Sequence, residues 1–215
     1  MGMGMADVTG FADLEMQPLE ALAPRERILK TASDLFYRFS VHSVGIDRII
    51  ADSGVAKMTF YKHFPSKANL VATYLRHKSA IWFQMLETAT EQPGLSPVER
   101  ILAIFDALDG PFQSPAFRGC PFVKGLAEFG PDADAPEVQA TITGYFAGLH
   151  DLVAALVAPL ALDKPERTVV QILSLIQGSI VMAQSTRAPF LAAANRDAAR
   201  LLLEGAVASA GARPR

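Results

Sequence analysis

The chain has 215 residues, half of them apolar and a fifth charged, which allows a sizeable buried core and argues against an unfolded chain. A net charge of −2 argues against a generally basic nucleic-acid binder, and a single cysteine, Cys120, excludes an internal disulfide. The average hides a split: ten Lys or Arg against four acids between Pro24 and Lys78 put that stretch at +6 and the remainder at −8, the footprint of a protein that docks one end on phosphates.

Residues 1–20 mix Gly, Met and scattered acids without periodicity, and an unstructured arm is expected over 1–22. They lack the basic start and apolar run of a signal peptide. No unbroken run of about 18 apolar residues suggests a membrane span. A cytoplasmic protein is expected.

Pro24 suits the first turn of a helix, where a missing N–H costs nothing. Ile28, Leu29, Ala32, Leu35, Phe36 and Phe39 follow at helical spacing and form one apolar stripe. Two short helical pieces come next, marked by Ile46, Ile49 and Ile50 and by Ala56 to His63. Gly54 between them can take the left-handed conformation that a tight turn needs. Pro65 interrupts, Ser66 is a good N-cap, and a long helix runs from Leu70 to Leu86 and is closed by Pro93-Gly94. Further helices are expected at Pro97–Leu108, Phe117–Phe129, Pro136–Val157, Pro165–Gln184 and Phe190–Ala208, with Gly110-Pro111, Gly130-Pro131, Pro159 and Pro189 as breaks. No stretch alternates at period two, so the fold is expected to be all-α with about nine helices.

The segment Gly45 to Lys67 carries the functional signal. Two short helices meeting at a glycine make a helix-turn-helix. Val55, Phe60 and Phe64 can face inward, which leaves Lys57, Thr59, Tyr61, Lys62 and His63 outward. A helix fits the major groove and presents its N-terminal side chains to base edges. Lys57 can reach guanine O6 or N7, and Met58 and the Thr59 methyl can touch a thymine methyl. Tyr61 and His63 suit phosphate oxygens. Lys67 lies in the first turn of the next helix, where the positive dipole end also favours phosphate. With Gly45, Arg48 and Lys62 these are the candidate DNA-binding residues. Taken singly, each could equally be packing or a solvated face; together, with the local +6 charge, they point to DNA.

Ile49, Gly54-Val55, Lys57, Thr59-Phe60-Tyr61, His63-Phe64, Ser66-Lys67 and Leu70 together resemble the DNA-binding domain of the TetR/AcrR family of bacterial regulators. The resemblance covers about residues 25–70 and implies a homodimer, a palindromic operator and ligand-triggered release. The chain departs from the family pattern at Ser40, where Gly is frequent, at Ala56, where Ser or Thr is, and at Gly45, where Thr is. Asp47 replaces an Arg that reads bases in some members. These differences bear on base preference rather than on fold.

The implied organisation is an arm (1–22), a three-helix DNA-binding domain (23–70) and a helical ligand-binding and dimerisation domain (71–210). The body is apolar and aromatic, as both bundle cores and ligand pockets are. The resemblance places a pocket among the central helices. The candidates there are Trp82, Met85, Phe105, Phe122, Leu126, Phe129, Tyr145, Phe146, His150 and Gln177, for an apolar or aromatic effector. Cys120 reads as a core residue at a helix start; a reactive thiol would need access and a lowered pKa. Ile172, Leu175, Ile176, Ser179, Ile180 and Ala183, with Ala198, Leu201 and Leu202, offer apolar faces for pairing two subunits. The four histidines lack metal-ligand spacing, and no catalytic or phosphate-loop motif occurs. Neither an enzyme nor a cofactor is expected. The expected function is a DNA-binding regulator, a repressor released from its operator by the effector. The rival from another class is a small-molecule-binding helical protein, or an unrecognised enzyme, with an incidentally basic N-terminus.

Overall fold

The computed structural model describes residues 17–130 and 134–211. Among them are nine α-helices and no strand, as the periodicity predicts. The helices are α1 (Pro24–Phe39), α2 (Ile46–Ser53), α3 (Lys57–His63), α4 (Lys67–Thr90), α5 (Pro97–Gln113), α6 (Pro121–Glu128), α7 (Pro136–Val157), α8 (Pro165–Thr186) and α9 (Leu191–Gly211). Of the expected arm, residues 1–16 lie outside the described part. Leu19–Ala21 form a 3-10 turn, Leu22 is buried, and the Lys30 ammonium donates to the Gln17 carbonyl at 2.5 Å.

The chain divides into two compact units, Met1–Gln84 with Pro121–Tyr145, and Met85–Cys120 with Phe146–Arg215. In the first, α1 opens at Pro24, and the Ala23 N–H donates to the Glu26 carboxylate at 3.0 Å. Its stripe of Ile28, Leu29, Ala32, Leu35 and Phe36 is buried, and the helix packs against α2 and α3. Phe39 departs from the expected stripe and is 46% exposed. It is the last helical residue, and its ring is flanked by the guanidiniums of Arg38 and Arg48 rather than by the core. Ser66 caps α4, its hydroxyl accepting from the Asn69 N–H at 3.1 Å. Deeper in this unit Tyr74 meets Phe36 edge-on, and Phe122 stacks on Tyr145 with centroids 3.6 Å apart.

In the second unit, Ser96 and Glu99 exchange hydrogen bonds at the start of α5, a reciprocal cap. Gly110-Pro111 does not end this helix, which runs to Gln113 with Pro111 inside it. So near the C-terminus a proline removes a single backbone hydrogen bond and the last turn closes over it. The segment expected to be helical from Phe117 is not, and α6 begins at Pro121. Gly119 has φ +82°, and Arg118 donates to the carbonyls of Pro115 and Phe117, which holds the chain in a turn. Helix α9 packs on α5 and α8, and Arg196 pairs with Asp106 at 2.8 Å.

Two stretches, Pro136–Leu160 and Pro165–Thr186, are long and apolar enough on average to cross a membrane, although neither is an unbroken apolar run. Polar side chains such as Gln171, Gln177 and Gln184 interrupt the second. A helix of a subunit interface carries the same surplus of apolar surface.

Candidate nucleic-acid interface

Helices α2 and α3 are joined through Gly54, whose φ of 64° and ψ of 29° place it in the left-handed region. The turn is therefore built around a residue without a side-chain penalty there. Ile49, Val55, Phe60 and Phe64 are buried beneath it and fix the two helices on α1. The opposite side is open. Lys57, Met58, Tyr61 and Lys62 are exposed, Met58 to 86%, while Thr59 and His63 are half-buried at the helix flank. Gly45 has extended backbone and precedes α2, and Arg48 lies on that helix's exposed side. Of the side chains predicted to face outward on α3, Lys57, Met58, Tyr61 and Lys62 are exposed, as is Arg48 on α2, and Thr59 and His63 are less so.

Two features of this surface were not legible from motif spacing. Arg48 stacks on the Phe39 ring at 4.8 Å and approaches Asp52 at 3.5 Å, so its guanidinium is held in place. The Lys57 ammonium lies 3.6 Å from the Asp47 carboxylate. The loop from α1 to α2 starts at Ser40, whose φ of 100° is a conformation usually left to glycine. Its hydroxyl meets that of Ser43 at 3.1 Å, and Ser43 also donates to the Phe39 carbonyl at 2.9 Å.

The same loop is held by Glu128, at the end of α6. Its carboxylate accepts from the backbone N–H groups of Val41, at 3.3 Å, and His42, at 2.8 Å. The field of this carboxylate also reaches Lys67. Partial burial lowers the Lys67 ammonium's pKa, and Glu128 opposes that. The proposed phosphate contact at Lys67 is therefore half-buried rather than fully extended into solvent.

The candidate effector residues fall in both units. In the first, Trp82 buries its indole N–H with no hydrogen-bond partner, Phe129 stacks on His42 at 5.1 Å, and Leu126 is more than half exposed. In the second, Phe105 is fully buried and Met85 and Phe146 are half-buried. Gln177 buries both amide atoms with no partner. His150 is part exposed and lies 2.9 Å from Glu166. The expected pairing face of α8 needs correction. Ile172, Ile176, Ser179, Ile180 and Ala183 are buried within the chain itself, so these five side chains do not form an outward pairing face. Because α8 is apolar around most of its circumference, periodicity could not choose the inward side. The exposed large apolar residues are Val170, Val181 and Met182 on α8 and Leu201, 71% exposed, and Val207 on α9, where Ala198 is exposed too; Leu175 and Leu202 are half-buried.

A basic, exposed recognition helix set on a left-handed glycine turn defines a helix-turn-helix DNA-binding protein. Residues 28–74 match the profile of bacterial regulatory proteins of the tetR family. The fold is shared with a TetR-family transcriptional regulator from Streptomyces coelicolor, with 28% identity, a TM-score of 0.74, and coverage of 87% of this chain and 95% of that one. It is also shared with a tetR-type regulator from Streptomyces avermitilis, with 25% identity, a TM-score of 0.74, and coverage of 86% and 98%. The reduced form of NemR from E. coli has the same fold at 20% identity and a TM-score of 0.72, over 82% of this chain and 94% of that one. No curated protein sequence matches the chain. The chain thus carries a TetR-type DNA-binding domain at residues 28–74 and shares its fold with TetR-family transcriptional regulators.

Proposed function

We propose that the chain is a homodimeric repressor that leaves a palindromic operator when a small apolar or aromatic effector binds its helical body. Residues 23–70 form the DNA-binding domain and residues 71–210 the effector and dimerisation domain. The observation that carries the DNA part is the surface above Gly54, where Lys57, Met58, Tyr61 and Lys62 are uncovered over a buried Phe60. In a dimer two such helices enter successive major grooves about 34–36 Å apart.

The effector part is supported by orphaned polar atoms. A buried donor or acceptor left unmatched costs about 1–3 kcal/mol. The Gln177 carboxamide leaves both of its groups in that state, and Trp82 its N–H. A mainly apolar ligand with one polar group would satisfy either site and bury the rest of its surface. An effector that prefers the DNA-incompatible state by about 1–3 kcal/mol lowers operator affinity 5- to 150-fold.

Selection from randomised duplexes with the full chain tests this reading. The expected product is an inverted repeat bound with a steep negative salt dependence, as released counterions require. Enrichment of no sequence, or binding insensitive to salt, overturns it.

A further inference from the structure

Asp47 and Lys57 form an ion pair across the helix-turn-helix, with 3.6 Å between carboxylate oxygen and ammonium and side chains 89% and 68% exposed. Asp47 lies in the first turn of α2 and Lys57 opens α3. Such an exposed pair adds about 0–1 kcal/mol to a fold at most, so folding does not account for it. A carboxylate on a surface that meets a polyanion is unfavourable at every sequence, unless it faces a donor on the bases. The major-groove edge of a C·G pair has that donor, the cytosine N4 amino group, beside two acceptors, guanine O6 and N7. N4 and O6 are hydrogen-bonded to each other and stand about 2.9 Å apart. An acceptor and a donor spaced as Asp47 and Lys57 are therefore complementary to that edge.

We propose that Asp47 is a specificity-determining residue, and that with Lys57 it reads one C·G pair in each half-site. The Asp47 carboxylate accepts from cytosine N4, and the Lys57 ammonium donates to guanine O6 and N7. A T·A pair offers neither the N4 donor nor the paired acceptors beside it. This inference rests on the DNA-binding reading above.

The test compares the full-length chain with Asp47→Ala and Asp47→Asn, by site selection and by affinity for the selected duplex and for one with the C·G pair replaced by T·A. In the parent chain the replacement is expected to weaken binding roughly 5- to 150-fold per half-site. In Asp47→Ala most of that discrimination disappears, and in Asp47→Asn the preference moves toward A·T, whose adenine suits an amide. If Asp47→Ala binds all duplexes more tightly by one common factor and selects an unchanged consensus, the carboxylate merely repels phosphate and the inference is wrong. A parent chain that enriches no site fails the regulator reading itself, a result distinct from the first.

Discussion

Glu128 receives the backbone amide of His42 at 2.8 Å and lies 2.9 Å from the Nδ1 of the same residue's imidazole. With the Val41 amide also on this carboxylate, one side chain of α6 sets the loop that aims α2 and α3. The His42 ring also stacks on Phe129, with centroids 5.1 Å apart. Hydrogen bonds to a charged group are worth about 1.5–3 kcal/mol in net terms, so Glu128→Ala should destabilise the chain by roughly that amount. Glu128→Gln keeps a neutral acceptor and should lose less. Denaturant midpoints would measure both. DNA affinity should fall with them, and parent-like stability in Glu128→Ala would show the contact to be incidental.

The two faces of α3 should respond oppositely to truncation. Phe60 is fully buried, and Phe60→Ala should cost about 3–5 kcal/mol through the cavity it leaves. Lys57→Ala with Tyr61→Ala removes exposed side chains and should change stability by less than about 0.5 kcal/mol for each. The double variant should nonetheless lose operator binding in a gel-shift or anisotropy assay. Retained affinity would mean that another surface meets the duplex.

These contrasts show which parts of the structure are local enough to be read from sequence. The stripe from Ile28 to Phe36, the left-handed Gly54 and the Ser66 cap each depend on residues within a turn or two of one another. Their placement follows from period and turn chemistry. The Glu128 contact joins residues 86 positions apart and leaves no mark on either segment alone. The inward face of α8 was illegible for a different reason. Ile172, Ile176 and Ile180 are matched around the helix by Val170, Val181 and Met182, so hydrophobicity carries no direction there. At Asp47 the residue itself was legible, and only the fold revealed Lys57 beside it.

Gly119 should not tolerate a side chain. A Cβ there would sit 1.9 Å from the Gln184 amide oxygen. The Gln184 side chain can swing aside, but the φ of +82° cannot be relieved without moving the turn before α6. Gly119→Ala is therefore expected to cost about 1–3 kcal/mol, and pairing it with Gln184→Ala should recover only the steric part. Thermal unfolding of the two variants separates strain from collision; full recovery in the pair would exclude backbone strain.

His150 titrates above its ordinary value of 6.5, chiefly through its hydrogen bond to Glu166 and then that to Asp151. A folded-state pKa above the unfolded one means that the protonated imidazole stabilises the fold. That contribution is complete below the unfolded value and is lost as pH rises through the folded one. The groups are solvent-exposed, so the effect on stability is small, and the sensitive observable is the titration itself. NMR titration of the imidazole should place its midpoint above 6.5 in the parent and move it back toward 6.5 in Glu166→Gln. An unmoved midpoint would assign the shift to Asp151 alone.

Pairing of subunits makes the most direct demand on the outward faces of α8 and α9. Leu201 is 71% exposed in the single chain, where it contributes little to the core. Leu201→Glu should therefore leave helical content and unfolding of the subunit nearly intact. If the two subunits pair through these faces, the same residue is desolvated, and a carboxylate placed there brings the cost of a buried charge. Sedimentation should show the parent as a dimer and Leu201→Glu as a monomer. Operator affinity should fall with it, because two half-sites are then bound independently rather than by one rigid pair. Ile176→Ala provides the control from the inward face. It should lower stability by about 2–5 kcal/mol through a core cavity and leave the mass of the folded species unchanged. If Ile176→Ala dissociates the folded dimer and Leu201→Glu does not, the interface lies elsewhere.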